Sequence, residues 1–475
     1  MKRLRLLVAV LTAAVLVAGT LTAIALDQNA SATRASRIAT ARELASAATA
    51  NLGIDRELAI LLALESVRVN DGTALPETEE ILRRTGTAVS IDTSSILGGG
   101  VQEAAFASDA NAVAVVGGDG SIGAWDLRTG RRTFADPSPE PCGSSSCPGV
   151  SMSDDGSTLA TMTRTAAPPK GGNVFHVLDL ASGRDIFTVA PTPGLFDVGD
   201  VALSPDGGLL ATAEWSTVRS YPVGVERPSW TVEVPRTTPW LTFNPDGTQL
   251  FIGVSRPNNV APTLVDVSTG EAQILYPGHT TDFPSFSADG SRVAFFHRDR
   301  AAAGHLTVWD ASSGDAVASI TSHGGPVALS PDGTVVAVAS AVPNLDDPSV
   351  VTLLDTDTLD RIRSLRGHPG SVVTEIAFDR SGSQIATASL DGTMHVWDAR
   401  TGEQTFTPPL EPSGVDGFEF TADGSRIVVL YEDGRIIAYP IALRDAIEIA
   451  RERVTRSLTD EECQTYLHVP TCPSD

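Results

Sequence analysis

The sequence predicts an all-β chain whose strands are gathered into eight small antiparallel sheets closed into a ring, a β-propeller. Three observations carry that prediction. One unit recurs eight times between residues 101 and 441. The recurrences are spaced by 40 to 51 residues, close to the length of four short strands with their turns. Gly 42 and Pro 30 are high for a helical protein and fit many strands joined by tight turns. Seven blades is the alternative, if the degenerate unit around Ser153 or Ser204 is an insertion.

Four segments follow in chain order: 1–30, 31–86, 87–441 and 442–475. Leu6 to Leu26 is an uncharged run of 21 residues. As a helix it spans about 31 Å at ~1.5 Å per residue, enough to cross a bilayer. Lys2, Arg3 and Arg5 precede it, which reads as a signal anchor with its N-terminus inside; a cleaved signal peptide is the alternative. Either way the bulk of the chain is expected outside the cytoplasm. Arg34, Arg37 and Arg42 beyond the run weaken the charge asymmetry that sets its orientation.

Residues 31–86 change to Ala, Leu, Glu and Arg with apolar residues three and four apart, a helical neck. Gly53 ends a first helix. Asp55 caps a second, whose Leu58, Ile60, Leu61, Leu62 and Leu64 make a broad apolar face. Asp71-Gly72 breaks it, and Pro76 suits the first turn of a short third helix.

The repeat is an apolar run, a turn of type Ser-Pro-Asp-Gly, a second run rich in Val, Ala and Ile, and a third run ending in an aromatic or Leu before Asp or Pro. Its turns lie at Ser108 to Asn111, Ser153 to Gly156, Ser204 to Gly207, Asn244 to Gly247, and onward from Ser287, Ser330, Asp379 and Thr421. Pro presets φ, Asp bonds its own backbone, and Gly takes the positive-φ corner, so neighbouring strands fold back on one another. One such sheet cannot bury both faces. Units therefore stack radially until the ring closes. Ala88 to Ile96 alternates in strand fashion before the first unit and is placed to supply the outermost strand of the last blade.

Three units end in Trp125-Asp126, Trp309-Asp310 and Trp397-Asp398, and with them the whole of 101–441 resembles the WD-repeat family. The seventh unit matches most fully, with Gly367-His368, Ser389, Asp391 and Trp397-Asp398. The resemblance implies that His368, Ser389, Asp391 and Trp397 form a buried hydrogen-bonded tetrad that locks the blade, so the Ser, His and Asp are not read as a catalytic triad. Other units replace Trp-Asp by Leu178-Asp179, Tyr221-Pro222, Val265-Asp266, Leu354-Asp355 and Tyr439-Pro440. These also resemble TolB-like propeller repeats. The helical stretch before the ring and "LTDEECQTYLH" after it resemble the membrane-linked propeller regions of bacterial signal-transduction ATPases with numerous domains. The ATPase motif itself is missing, because neither Lys2 nor Lys170, the two lysines of the chain, follows a Gly-rich phosphate loop. The resemblance is to the sensor half.

The formal net charge of −24 argues against a nucleic-acid partner. Cys142 with Cys147 and Cys463 with Cys472 form two close pairs in turn-rich surroundings, read as loop disulfides of an oxidising compartment. Half a zinc site or free surface thiols are the other readings. Thr459 and Glu462 have capping-box spacing and start a short helix that the second pair is placed to staple. Asp355 to Asp360, "DTDTLD", resembles part of a calcium loop but lacks its Gly and distant Glu, and it occupies the turn after a third strand. No catalytic residue, metal or cofactor is expected. The expected function is a membrane-tethered platform that binds a protein or peptide, or senses a ligand, with specificity in the irregular connections Asp136 to Gly149, Ala166 to Asn173 and Ala341 to Pro348. The alternatives are a hydrolase with acidic residues in the central channel, or a TolB-like extracytoplasmic adaptor.

Overall fold

In a computed structural model, the structure describes residues 28, 30–85, 89–93, 101–107, 112–127, 129–136, 149–165, 172–190, 199–214, 216–234, 238–255, 262–275, 279–280, 284–298, 304–321, 325–339 and 350–473. The chain divides into two compact units, one of 88–441 and one that joins 1–87 to 442–475. Leu6 to Leu26 and the Cys142–Cys147 pair lie outside the described residues. Among the described residues no helix is long and apolar enough to cross a membrane.

The larger unit is eight antiparallel sheets. Blades 1 to 7 are built in chain order from residues 101–136, 150–189, 199–233, 238–274, 279–321, 327–366 and 373–406. Each runs inner strand, second, third, outer. The inner strand of blade 5 is in two pieces, His279–Thr280 and Ser285–Phe286, both paired with Arg292–Arg298. Pro284, which precedes the second piece, has no N–H to give a ladder. Blade 8 takes three strands from 415–440 and its outer strand, Val89–Asp92, from the other end of the ring. The units around Ser153 and Ser204 form complete sheets, so the count is eight.

Closure is a burial problem. The second and third strands of each blade are apolar on both faces, as in Ala112–Gly117, Arg426–Tyr431 and Arg435–Pro440, and an isolated blade would leave both faces wet. Among the described residues one apolar cluster fills each of the eight blade-to-blade interfaces. The last of them joins Val428, Leu430, Ile436 and Ala438 of blade 8 to Val113, Val115 and Trp125 of blade 1, with Ile91 of the closing strand among them. Val89 pairs with Ala438 and Asp92 with Arg435, and the Thr93 hydroxyl donates to the Gly434 carbonyl at 2.6 Å.

The turns behave as their residues dictate. In blade 3 the Ser204 hydroxyl donates to Asp206 Oδ1 (2.6 Å), which also accepts the Gly208 N–H (2.9 Å), while Ser204 Oγ accepts the Leu209 N–H (2.9 Å). Gly207 sits at φ +71°, where a side chain would be strained. Blade 7 inverts the order: in Asp379-Arg-Ser-Gly the carboxylate comes first and Ser381 donates to it. Sequence DTDTLD closes the same way. Asp355 Oδ1 accepts from the backbone N–H of Asp357 and of Thr358, so the carboxylate is spent on its own turn. Among the described residues no group of three or more His, Cys, Asp or Glu converges as a metal site requires.

The smaller unit is helical: α1 (30–51), α2 (Arg56–Val69), α3 (Pro76–Thr85) and α4 (Leu443–Arg453). The Asp55 carboxylate accepts the Leu58 N–H at 2.9 Å and caps α2. Leu58, Ile60 and Leu62 enter one core with Leu44, Ile81, Leu82 and Ala450. In the tail, Thr459 and Glu462 complete the capping box, and Cys463 is bonded to Cys472 with 5.3 Å between their Cα atoms.

All six tryptophans lie between residues 125 and 397, so their fluorescence reports the ring. Ile91→Ala is expected to destabilise the ring by about 2–5 kcal/mol in urea unfolding followed at tryptophan, whereas Ala at the exposed Ser90 changes little. Equal effects would mean that the closing strand is not part of the cooperative core.

Candidate interaction face and central channel

Because every sheet is antiparallel, the connections sort onto two faces of the ring. Those from the inner to the second strand, and from the third to the outer, emerge on one face, here the turn face. Those from the second to the third strand, and from one blade to the next, emerge on the other, the loop face. The connections from Asp136 to Gly149, Ala166 to Asn173 and Ala341 to Pro348 all join strand ends on the loop face. Residues 137–148, 166–171 and 341–348 of them lie outside the described residues.

On the turn face the Asp, Ser and Thr groups that build the tight turns are engaged. Asp126, Asp310 and Asp398 each end a third strand and accept the N–H of Thr129, Ser313 and Thr401, three residues on. Hydrogen bonds from Ser204, Ser268, Ser312 and Ser330 hold the carboxyls of Asp206, Asp266, Asp310 and Asp332 below the usual range. Neighbouring turns are tied as well, with the Asp154 N–H donating to the Pro205 carbonyl and the Ala288 N–H to that of Pro331, both at 2.8 Å.

In blade 7 the polar network is a single relay. The Trp397 indole N–H donates to Thr387 Oγ1 at 3.1 Å; Thr387 Oγ1 lies 2.8 Å from His368 Nε2; His368 Nδ1 lies 2.8 Å from Thr393 Oγ1; and Thr393 donates to Asp391 Oδ1 at 2.6 Å. Each hydroxyl has one proton, so the directions follow. Thr393 gives its proton to Asp391 and accepts from His368 Nδ1–H; Thr387 accepts from Trp397 and donates to Nε2. The imidazole is neutral, and burial followed by the neighbouring His395 pushes it down to about 4. The structure therefore corrects one assignment. Thr387 occupies the place expected of Ser389, whose hydroxyl instead donates to the Val372 carbonyl (3.0 Å) and lies 2.8 Å from Ser371 Oγ. Positions 387 and 389 share a strand face, and only register against the third strand separates them: Thr387 stands opposite His395, two residues before the tryptophan. With both ring nitrogens of His368 occupied by threonines, no serine is activated.

The other Trp-Asp blades lack this relay. The position of Thr387 is Val115 in blade 1 and Phe295 in blade 5. Trp125 lies over Gly123, where an added Cβ would come within 2.3 Å of the ring. Trp309 stacks on Phe295 with centroids 5.9 Å apart.

The central channel holds residues that sequence reasoning missed. A cavity of about 990 Å³ is lined by the inner strands of blades 2 to 8 and by turn residues such as Pro205, Pro245 and Pro331. Along those strands, polar side chains reach to the next blade. Glu103 accepts the Val150 N–H (3.1 Å), Ser151 that of Leu203 (2.9 Å), Asp200 that of Leu241 (2.7 Å) and Ser285 that of Leu329 (2.8 Å). Glu375 accepts the N–H of Phe418 in the same manner. Each inner strand is a sheet edge, and these contacts give an edge N–H a partner. The pattern is present in the sequence. Asp200 and Glu375 stand seven residues before the turn Gly, and Ser151, Ser285 and Glu419 five before it, the same face of the strand. Burial pushes Glu375 up to about 8, with Glu419 adding to it, and pushes Glu419 and Glu103 to about 7 and Asp200 to about 6.

One family match falls on the most regular part of this ring. The family model "WD domain, G-beta repeat" matches residues 359–398. The seventh unit is a WD repeat. Similar proteins include telomerase protein component 1 of Mus musculus, 29% identical over 134 residues, 28% of this chain and 5% of that protein. Periodic tryptophan protein 2 homolog of Schizosaccharomyces pombe is 29% identical over 110 residues, 23% and 12%. Eukaryotic translation initiation factor 3 subunit I of Pyricularia oryzae is 30% identical over 111 residues, 22% and 32%. The match thus spans a third or less of each relative. Among solved structures, the computationally designed Ika8 protein superimposes with a TM-score of 0.54 at 19% identity, covering 74% of this chain and 99% of that one, a likeness of fold alone.

Two predictions follow from these geometries. Thr387→Val leaves the indole N–H and His368 without their shared partner and is expected to cost about 1–3 kcal/mol in chemical denaturation, against under about 1 kcal/mol for Ser389→Ala; the reverse order would sink the relay. For the channel, the raised carboxyl values mean that the folded ring holds protons more tightly than the unfolded chain. That stability is present in acid and is lost as pH rises from about 4.5 through 8. Glu375→Gln should raise the melting temperature at pH 8 by on the order of 2–4 °C and leave it unchanged at pH 5. An equal shift at both pH values would refute the titration.

Proposed function

We propose that this chain is a non-catalytic interaction platform, a WD-repeat propeller that recruits a protein or peptide partner through its loop face. The observation that carries the reading is the division of labour between the faces. On the turn face the Asp and Ser groups of the tight turns are engaged within the turns, and backbone hydrogen bonds tie neighbouring turns. On the loop face the connections vary in length from blade to blade; blades 1, 7 and 8 join their second and third strands by an Asp-Gly turn, at Asp119, Asp391 and Asp433, and the other blades lack that pair. The WD repeat at 359–398 supports the reading, since the similar proteins are named as components or subunits of larger entities.

We further propose that the ring is held at a membrane by Leu6 to Leu26, on the extracytoplasmic side, as the sensor part of a bacterial signalling assembly. Support comes from the length and apolarity of that run, from the Cys463–Cys472 disulfide, which persists in an oxidising compartment, and from the resemblance of the flanking segments to membrane-linked sensor regions. Hydrolysis in the channel is the competing reading, drawn from Glu375 and Glu419 on adjacent blades. The interblade hydrogen bond of Glu375 weighs against it, because that carboxyl already supports the edge of blade 8.

A photo-crosslinking residue placed at exposed Pro369 on the loop face should give discrete partner adducts in cells, and one at exposed Glu271 on the turn face should give none. Indistinguishable adducts from both would defeat the assignment of the face. For the location, protease added to intact cells should digest the ring; protection until the membrane is opened would place it inside.

A further inference from the structure

Apart from Val225, which stands alone on a turn-face connection of blade 3, the large apolar side chains that the ring leaves exposed among the described residues fall into two groups. Ile186, Ile274, Val317 and Ile362 sit singly on the outer strands of four blades, an ordinary arrangement. Val372, Leu390 and Leu410, with relative exposures of 47%, 73% and 70%, all belong to the loop face at blades 7 and 8. The Leu390 N–H donates to the Val372 carbonyl at 3.0 Å, so these two side chains flank one point. Leu410 lies on the crossover from blade 7 to blade 8, which returns beside that turn: a Cβ on Gly392 would sit 3.8 Å from Gly414.

The crossover is fastened rather than loose. The Glu411 carboxylate takes a hydrogen bond from Arg435 Nη1 at 2.7 Å, and the Gly414 carbonyl accepts the Glu432 N–H at 3.0 Å. Asp433 takes the Nε–H of the same arginine at 2.8 Å. Arg435 is thereby spent on two carboxylates. Asp416 and Glu432, both exposed, have no basic partner among the described residues. They repel one another: burial first, and then Glu432, hold the Asp416 carboxyl above its ordinary value. A rigid apolar patch beside two uncompensated negative charges is complementary to an apolar side chain next to a cation.

We propose that Val372, Leu390 and Leu410, with Asp416 and Glu432, form the docking site for a partner segment in which Leu- or Phe-like side chains alternate with Arg or Lys. This rests on the loop-face reading above and names the chemistry of its partner. Apolar burial supplies the affinity, and the two carboxylates select the cationic segment and steer it in.

The probe is a fluorescent synthetic peptide of alternating Arg and Leu, titrated by anisotropy against the full chain in nonionic detergent. Leu390→Ser and Leu410→Ser should each weaken binding by about tenfold or more. Asp416→Asn combined with Glu432→Gln should weaken it about three- to tenfold and remove most of its salt dependence. Ile274→Ser, the same loss of exposed apolar surface elsewhere, should leave it unchanged, and a peptide with Glu in place of Arg should not bind. The proposal falls if Leu390→Ser binds like Ile274→Ser, or if the Glu peptide binds as well as the Arg peptide. Adducts from Pro369 with an indifferent peptide would overturn this chemistry and leave the loop face standing; the patch responding as stated, without adducts, would do the opposite.

Discussion

The structure depends on one constraint: a four-stranded sheet with two apolar faces is stable only between two others, so the row of blades has to close. The apolar cluster between blades 8 and 1 is where that condition is met, and it is assembled from both ends of the propeller segment, Ile91 from one and Ile436 with Ala438 from the other. Closure makes the burial of every other interface cooperative, because opening one joint exposes two faces. It also sets what each blade must provide. An interface asks for apolar alternation of suitable volume, which Tyr221, Val265 and Leu354 supply as well as a tryptophan does. The Trp-Asp signature is therefore free to erode in most blades while the ring persists.

A second requirement comes from the inner rim. Antiparallel pairing leaves the inner strand of every blade with one edge turned to the channel, and its amides need partners where space is narrow. Glu103, Ser151, Asp200, Ser285 and Glu375 supply them from the preceding blade. Carboxylates in such a channel suggest chemistry at first sight, and their raised proton affinity strengthens the impression. The geometry assigns them to structure. Glu103 and Glu375 each follow a register shift in their strand, which re-aims the side chain at the next blade.

Much of this was legible in the sequence, for reasons that are local. The Ser-Pro-Asp-Gly turns, the cap at Asp55, the capping box at Thr459 and the closing strand from Val89 are specified by residues within a few positions of one another, and local chemistry is what a sequence displays directly. What escaped depends on register or on distance. Thr387 and Ser389 are both small hydroxyl residues on the same face of one strand, and only the partner opposite, His395 or a residue nearer the turn, says which of them meets His368. The inner acids were overlooked because a carboxylate in an apolar run reads as a surface interruption until the next blade is beside it. The apolar patch at Leu390 required two connections, distant in sequence, to arrive at one place.

The two requirements together leave one face of the ring freer to vary than the other. Closure and the inner rim fix strands and turns, and the turn motif cannot change without unpinning the Asp and Ser hydrogen bonds that hold strand to strand. On the loop face only the Asp-Gly turns of blades 1, 7 and 8 are pinned in this way. The other connections there need only span the gap between two strand ends, and a longer loop costs little, about 0.6 kcal/mol for each doubling of length. The exposed leucines of blades 7 and 8 fit that freedom: Leu390 occupies the residue before Asp391 in a turn held by Asp391 and Thr393, so its own side chain is unconstrained by the relay below it. The blade with the polar relay thus presents an apolar side chain on a turn that the relay holds in place, which would lower the entropy cost of any docking there.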